Sequence, residues 1–85
     1  MSKAEKLLKR LSSRPKDFTY NELVTLLNQL GYGELKQGKT GGSRRAFVHH
    51  TTKQIIRLHK PHPGRILKMY QIDLIIINLT ENGLL

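Results

Sequence analysis

The sequence predicts an α+β domain in which two helices, three antiparallel strands and a last helix follow one another. Three observations carry that expectation. Apolar residues recur at three- and four-residue spacing towards both ends of the chain, the middle alternates apolar with charged residues, and Gly or Pro marks each change of period. One sheet face is expected to pack on the helices and the other to stay open.

Ser2-Lys3-Ala4-Glu5 reads as a capping box, and Ala4, Leu7, Leu8 and Leu11 form the stripe of a short amphipathic helix. Ser12-Ser13-Arg14-Pro15 ends it. A second box, Thr19-Tyr20-Asn21-Glu22, opens a helix with its stripe at Leu23, Leu26, Leu27 and Leu30. Gly31 and Gly33 close that helix, Gly31 just past its end, where a left-handed backbone favours glycine. "YGELKQG" then reads as a strand, "KTGGS" as a loop, "RRAFVHH" as a second strand and "TTK" as a tight connection. In the third strand, "QIIRLHK", alternation puts Ile56 and Leu58 on one face and Arg57 and His59 on the other. Pro61 and Pro63 in "PHPG" cannot donate to a ladder and interrupt it. "RILKMYQIDLIIINLTENG" follows as a helix stopped by Asn82-Gly83. Its Ile75-Ile76-Ile77 run also suits a strand, but the length and the sets Ile66/Met69/Tyr70/Asp73 and Ile72/Ile75/Ile76/Leu79 favour the helix. That helix is apolar on more than one face, so part of it is expected to bind another subunit or partner.

Eighty-five residues suit one core. With no Cys, disulfides and thiolate metal sites are excluded, and a reducing cytoplasm fits. The basic N-terminal segment lacks the apolar centre of a signal peptide, and no stretch approaches the roughly 20 apolar residues that span a bilayer. Fifteen Lys and Arg stand against six Asp and Glu, giving a net charge of +9. No acidic residue lies between Glu34 and Asp73, an interval holding all four histidines and Lys36, Lys39, Arg44, Arg45, Arg57 and Lys60. A long acid-free block points to a polyanion, with nucleic acid ahead of an acidic protein.

The histidines do not make a metal site by spacing. On a strand His49 and His50 point to opposite faces, and His59 and His62 flank a proline with no carboxylate near. Ser43 has no acidic neighbour to complete a nucleophilic triad, and "GKTGGS" lacks the P-loop order. What fits is the phosphodiester. Gly42 and its neighbours let a backbone approach phosphate, Arg44 or Arg45 can grip its oxygens in pairs, and a histidine can exchange the proton of a 2′-OH. Taken singly, each of these residues is equally at home in a hairpin loop or on a strand surface.

Taken in order, a helix, "GGSRRAFVHH" and "IIRLHKPHPGRILKMYQIDLII" resemble the HicA family of bacterial type II toxin–antitoxin toxins, from Thr19 to about Leu79. Members of that family are small basic domains with an α-β-β-β-α, double-stranded-RNA-binding-like fold. They act as metal-independent mRNA interferases and are neutralised by a HicB antitoxin. The resemblance implies a single domain over residues 1–85, with 1–16 a helical extension and 17–82 the core. It implies a cytoplasmic endoribonuclease with no cofactor, no metal and no membrane, whose partners are mRNA and a HicB-like antitoxin. Lys36, Lys39, Gly42, Ser43, Arg44, Arg45, Arg57 and Lys60 are the expected RNA-binding residues. The family's usual Gly-Ser-His, with its catalytic histidine, reads Gly42-Ser43-Arg44 here. His59 and His62 are the leading substitutes, His49 stands behind them, and a non-catalytic RNA-binding module on the same basic face is the alternative.

Overall fold

The computed structural model describes residues 3–35, 44–61 and 65–85. Helices α1 (Lys3–Ser12) and α2 (Tyr20–Gln29) precede strands β1 (Tyr32–Glu34), β2 (Arg44–His49) and β3 (Ile55–His59), and α3 (Met69–Glu81) closes the order. The strands form an antiparallel sheet in the order β1-β2-β3. This is the α+β architecture read from the sequence.

Local chemistry accounts for the elements. Thr19 caps α2 in a reciprocal box: its hydroxyl accepts from the Glu22 amide at 3.1 Å, and the Glu22 carboxylate accepts from the Thr19 amide at 3.0 Å. Gly31 follows α2 with φ +95°, a conformation that costs other residues about 1–2 kcal/mol. The Ser2 cap of α1 lies outside the described residues.

The sheet's inward set is Tyr32, Phe47 and Ile56, all buried. It meets Leu11 of α1, Leu23, Leu26 and Leu27 of α2, and Ile72, Ile75 and Leu79 of α3, with Phe18 and Leu67 between the helices. The stripe Leu23, Leu26 and Leu27 and the set Ile72, Ile75 and Leu79 are therefore core, and α1 adds Leu11 to it, whereas in the set Ile66/Met69/Tyr70/Asp73 both Ile66 and Tyr70 are exposed. Alternation then fixes the outward set as Arg44, Ala46 and Val48 on β2 and Ile55, Arg57 and His59 on β3.

Three expectations need correcting. The last helix begins at Met69, not near Arg65, because residues 65–67 run extended beside the entry to α2. There the Leu67 amide donates to Phe18 O at 2.9 Å and the Tyr20 amide to Arg65 O at 2.7 Å. Gly33 lies within β1 and does not close α2. His49 and His50 do not diverge either: β2 ends at His49, the chain turns, and the two rings stack with centroids 5.0 Å apart.

Candidate functional site

The hydrogen-bond parity of the sheet places the basic side chains. Leu35 donates to Ala46 O, and His50 to Gly31 O, so even-numbered residues of β2 bond to β1. His49 donates to Gln54 O, so odd-numbered residues bond to β3. Arg44 and His59 therefore face each other as a non-hydrogen-bonded pair, the closer of the two antiparallel spacings, as do Ala46 and Arg57. Arg44, Arg57 and His59 are all exposed and share the outward face. With Arg45 and Leu58 they line an open depression of about 520 Å³, floored by Ala46. Small Ala46 keeps that floor low, so a group between the arginines can approach the sheet backbone.

The neighbouring basic residues go elsewhere. Arg45 points to the helix side, where its Nε lies 3.4 Å from a Glu34 carboxylate oxygen. Lys60 is there too, its Nζ 5.4 Å from the centre of the Tyr20 ring. Burial and the Glu34 carboxylate push the Tyr20 phenol above its ordinary value, and Arg45 opposes them. This is a second basic cluster, joined to the first at Arg45, which also lines the depression and whose guanidinium donates to Arg44 O at 2.8 Å. Lys36, Lys39, Gly42, Ser43 and His62 lie outside the described residues.

His49 has structural duties. Its Nε2 bonds Leu30 O at 3.0 Å, while Nδ1 accepts from the Thr51 and Thr52 amides at 3.2 Å each, which fixes the proton on Nε2. His50 Nδ1 bonds Gly31 O at 2.7 Å. The His49 ring thus satisfies a carbonyl at the end of α2, and the His50 ring adds a second bond to Gly31 O, which already accepts from the His50 amide. Both are committed to holding that end on the sheet. Among the described residues no three His, Cys, Asp or Glu side chains cluster as a metal would need.

One residue that holds the site was missed in the sequence. Gln71, in the first turn of α3, is buried; its Nε2 donates to His59 O at 2.7 Å and its Oε1 accepts from the Lys68 amide at 2.9 Å. It ties the end of β3 to the start of α3 and so fixes the backbone that carries His59. The signal available was the glutamine three residues after Lys68, half of a capping box whose first residue has no capping oxygen.

The chain matches no family model, no curated protein and no solved structure. Among the described residues no helix is long and apolar enough to cross a membrane.

Proposed function

We propose that this chain is the toxin of a type II toxin–antitoxin pair, HicA-like, which binds mRNA on its outward sheet face and cleaves it without metal in the cytoplasm. The observation that carries the reading is the register setting Arg44 opposite His59, with Arg57 one step along the same face. Two guanidiniums there neutralise phosphate oxygens, and an exposed imidazole stands beside them. Neutral His59 takes the proton of a ribose 2′-OH, and the 2′ oxygen attacks the adjacent phosphorus. The P–O5′ bond then breaks, leaving a 2′,3′-cyclic phosphate, while O5′ is protonated by the imidazolium or by water. Arg44 and Arg57 stabilise the charge that gathers on the phosphorane oxygens.

The test is RNA cleavage in EDTA by wild type and His59→Ala. Loss of the imidazole is expected to slow cleavage by about 10² to 10⁴ and to leave RNA affinity nearly unchanged. Each arginine removed should lessen the log–log salt slope of binding by about 0.7 to 0.9. Unaltered cleavage by His59→Ala refutes the assignment. Arg44 at the position of the family's histidine leaves one histidine on this face among the described residues, which favours the non-catalytic binding module as the second reading. Wild-type protein that holds RNA tightly but leaves it whole selects that reading.

A further inference from the structure

β3 is one of the two edge strands of the sheet among the described residues, β1 being the other. The parity above sends the amide groups of Ile56 and Leu58 towards β2 and those of Ile55, Arg57 and His59 away from it. His59 O is already taken by Gln71. Ile55 and Arg57 therefore present main-chain donors and acceptors along an open edge, the feature that templates pairing with another strand.

A groove of about 210 Å³ runs beside this edge, between β3 and α3. Its floor is Ile56, Leu58 and Ile75, and its far wall is Tyr70 and Leu74. Tyr70 is 57% and Leu74 52% exposed, large apolar side chains spaced four residues apart on one helix face. The outward side of the same edge carries Arg57 and His59, with Arg44 behind them. The edge is thus apolar towards the helix and cationic towards the open face.

We infer that this edge takes an extended segment of an acidic partner protein, which adds to β3 as a fourth strand. Its alternate residues would be apolar, lying against Tyr70 and Leu74, and acidic, lying beside Arg57 and His59. Charge selects this occupant over a second copy of the chain, since each copy carries +9 and would set cation against cation. Main-chain bonds to the edge would supply affinity and the two-sided pattern specificity. The inference deepens the reading above, giving the mode by which an antitoxin would reach the RNA face, but strand docking itself can be measured without RNA.

The probe is a seven-residue peptide alternating Glu with Val, with Glu at both ends, compared with a peptide of the same composition in which all Glu precede all Val. β3 spans about 16 Å at roughly 3.3 Å per residue, which such a peptide covers. The alternating peptide should bind at least about tenfold more tightly than the block peptide, the worth of one main-chain bond. Amide exchange at Ile55 and Arg57 should slow in its complex. Leu74→Glu should weaken it by a similar factor, with folding checked by circular dichroism and RNA affinity kept at the wild-type value. Equal binding of the two peptides, binding of neither, or unchanged exchange at Arg57 each overturns the inference. RNA that fails to bind the wild-type protein sinks the earlier proposal and leaves the peptide result standing.

Discussion

Gln71→Leu removes one buried side chain that joins two elements, and its cost follows from the two bonds it makes. The Nε2 bond to His59 O is 2.7 Å and the Oε1 bond to the Lys68 amide 2.9 Å, from a residue only 4% exposed. A net hydrogen bond contributes about 0.5–1.5 kcal/mol, and an orphaned buried group costs about 1–3. His59 and Lys68 are both exposed, so water reaches the groups left behind and the lower figures apply. The sum is about 2 kcal/mol, which for a domain of this size lowers Tm by roughly 8–16 °C. Thermal denaturation followed by circular dichroism reads it directly. The functional consequence is specific: with the end of β3 released, His59 loses its fixed place opposite Arg44. Cleavage should then fall by more than RNA affinity does, because phosphate contacts tolerate a shift that proton transfer does not. Gln71→Glu adds a pH signature. Burial raises the folded pKa of the new carboxyl above its unfolded value near 4.3. Its protonated form restores a donor towards His59 O, so the deficit relative to wild type is smallest at low pH and grows as pH rises through the folded pKa. A Gln71→Leu protein melting within about 2 °C of wild type refutes this account, since that is under 1 kcal/mol.

Other outcomes are expected elsewhere in the molecule. Gly31→Ala should cost clearly more than Gly83→Ala. Both glycines have positive φ, but a Cβ at Gly31 would lie 2.6 Å from the His50 ring and one at Gly83 meets open space. The left-handed backbone alone costs about 1–2 kcal/mol in each, and equal urea midpoints for the two variants would show that the His50 ring yields freely. Tyr20→Phe should flatten the loss of stability in alkali. The raised folded pKa means that stability is fully present below the ordinary value near 10 and is lost as pH rises through the folded one. Urea titrations of the two proteins across that range check it. Asp73→Ala should leave the urea midpoint nearly unchanged, although Arg14 reaches both carboxylate oxygens at 2.8 and 3.0 Å, because the pair is solvent-exposed. Expression of the chain alone should arrest bacterial growth, and a co-expressed HicB-like antitoxin should restore it. A harmless wild-type protein at high level speaks against the toxin reading.

Local signals were legible wherever local physics decides. The Thr19 box, the stripe Leu23–Leu26–Leu27 and the left-handed Gly31 each need only neighbouring residues, and each stands in the structure. The split of Ile56 and Leu58 from Arg57 and His59 follows from strand alternation alone, and so was legible too. Long-range contacts were not. The start of α3 is set by Phe18 and Tyr20 capturing the groups of Leu67 and Arg65, almost fifty positions away, and no window of sequence contains both partners. The basic block told of charge but not of side. Alternation separates Arg44 from Arg45 and Arg57 from Lys60, but which of the β2 arginines shares the open face with Arg57 and His59 depends on the β2–β3 register, which composition does not record. The two adjacent histidines escape strand alternation because β2 ends at His49, and that single residue decides whether two rings diverge or stack.

The two proposed surfaces meet at Arg57, and that junction has a measurable consequence. Its side chain belongs to the outward basic face and its main chain to the open edge, so one residue would serve RNA and the added strand at once. Carboxylates on the outward side of the strand would lie beside the guanidinium that a phosphate also needs. Two anions cannot both neutralise one cation without strong mutual repulsion, so the ligands should exclude each other. In that case RNA's apparent Kd rises linearly with free peptide, by about elevenfold at ten times the peptide's own Kd. A ternary complex with less than additive weakening would instead reach a plateau. Titrating labelled RNA and wild-type protein with the alternating peptide separates the two. A plateau would mean that the strand occupies the groove without reaching the basic face. An unbroken linear rise would mean that a strand of this pattern and RNA exclude each other on the domain, as shared use of the Arg57 guanidinium requires.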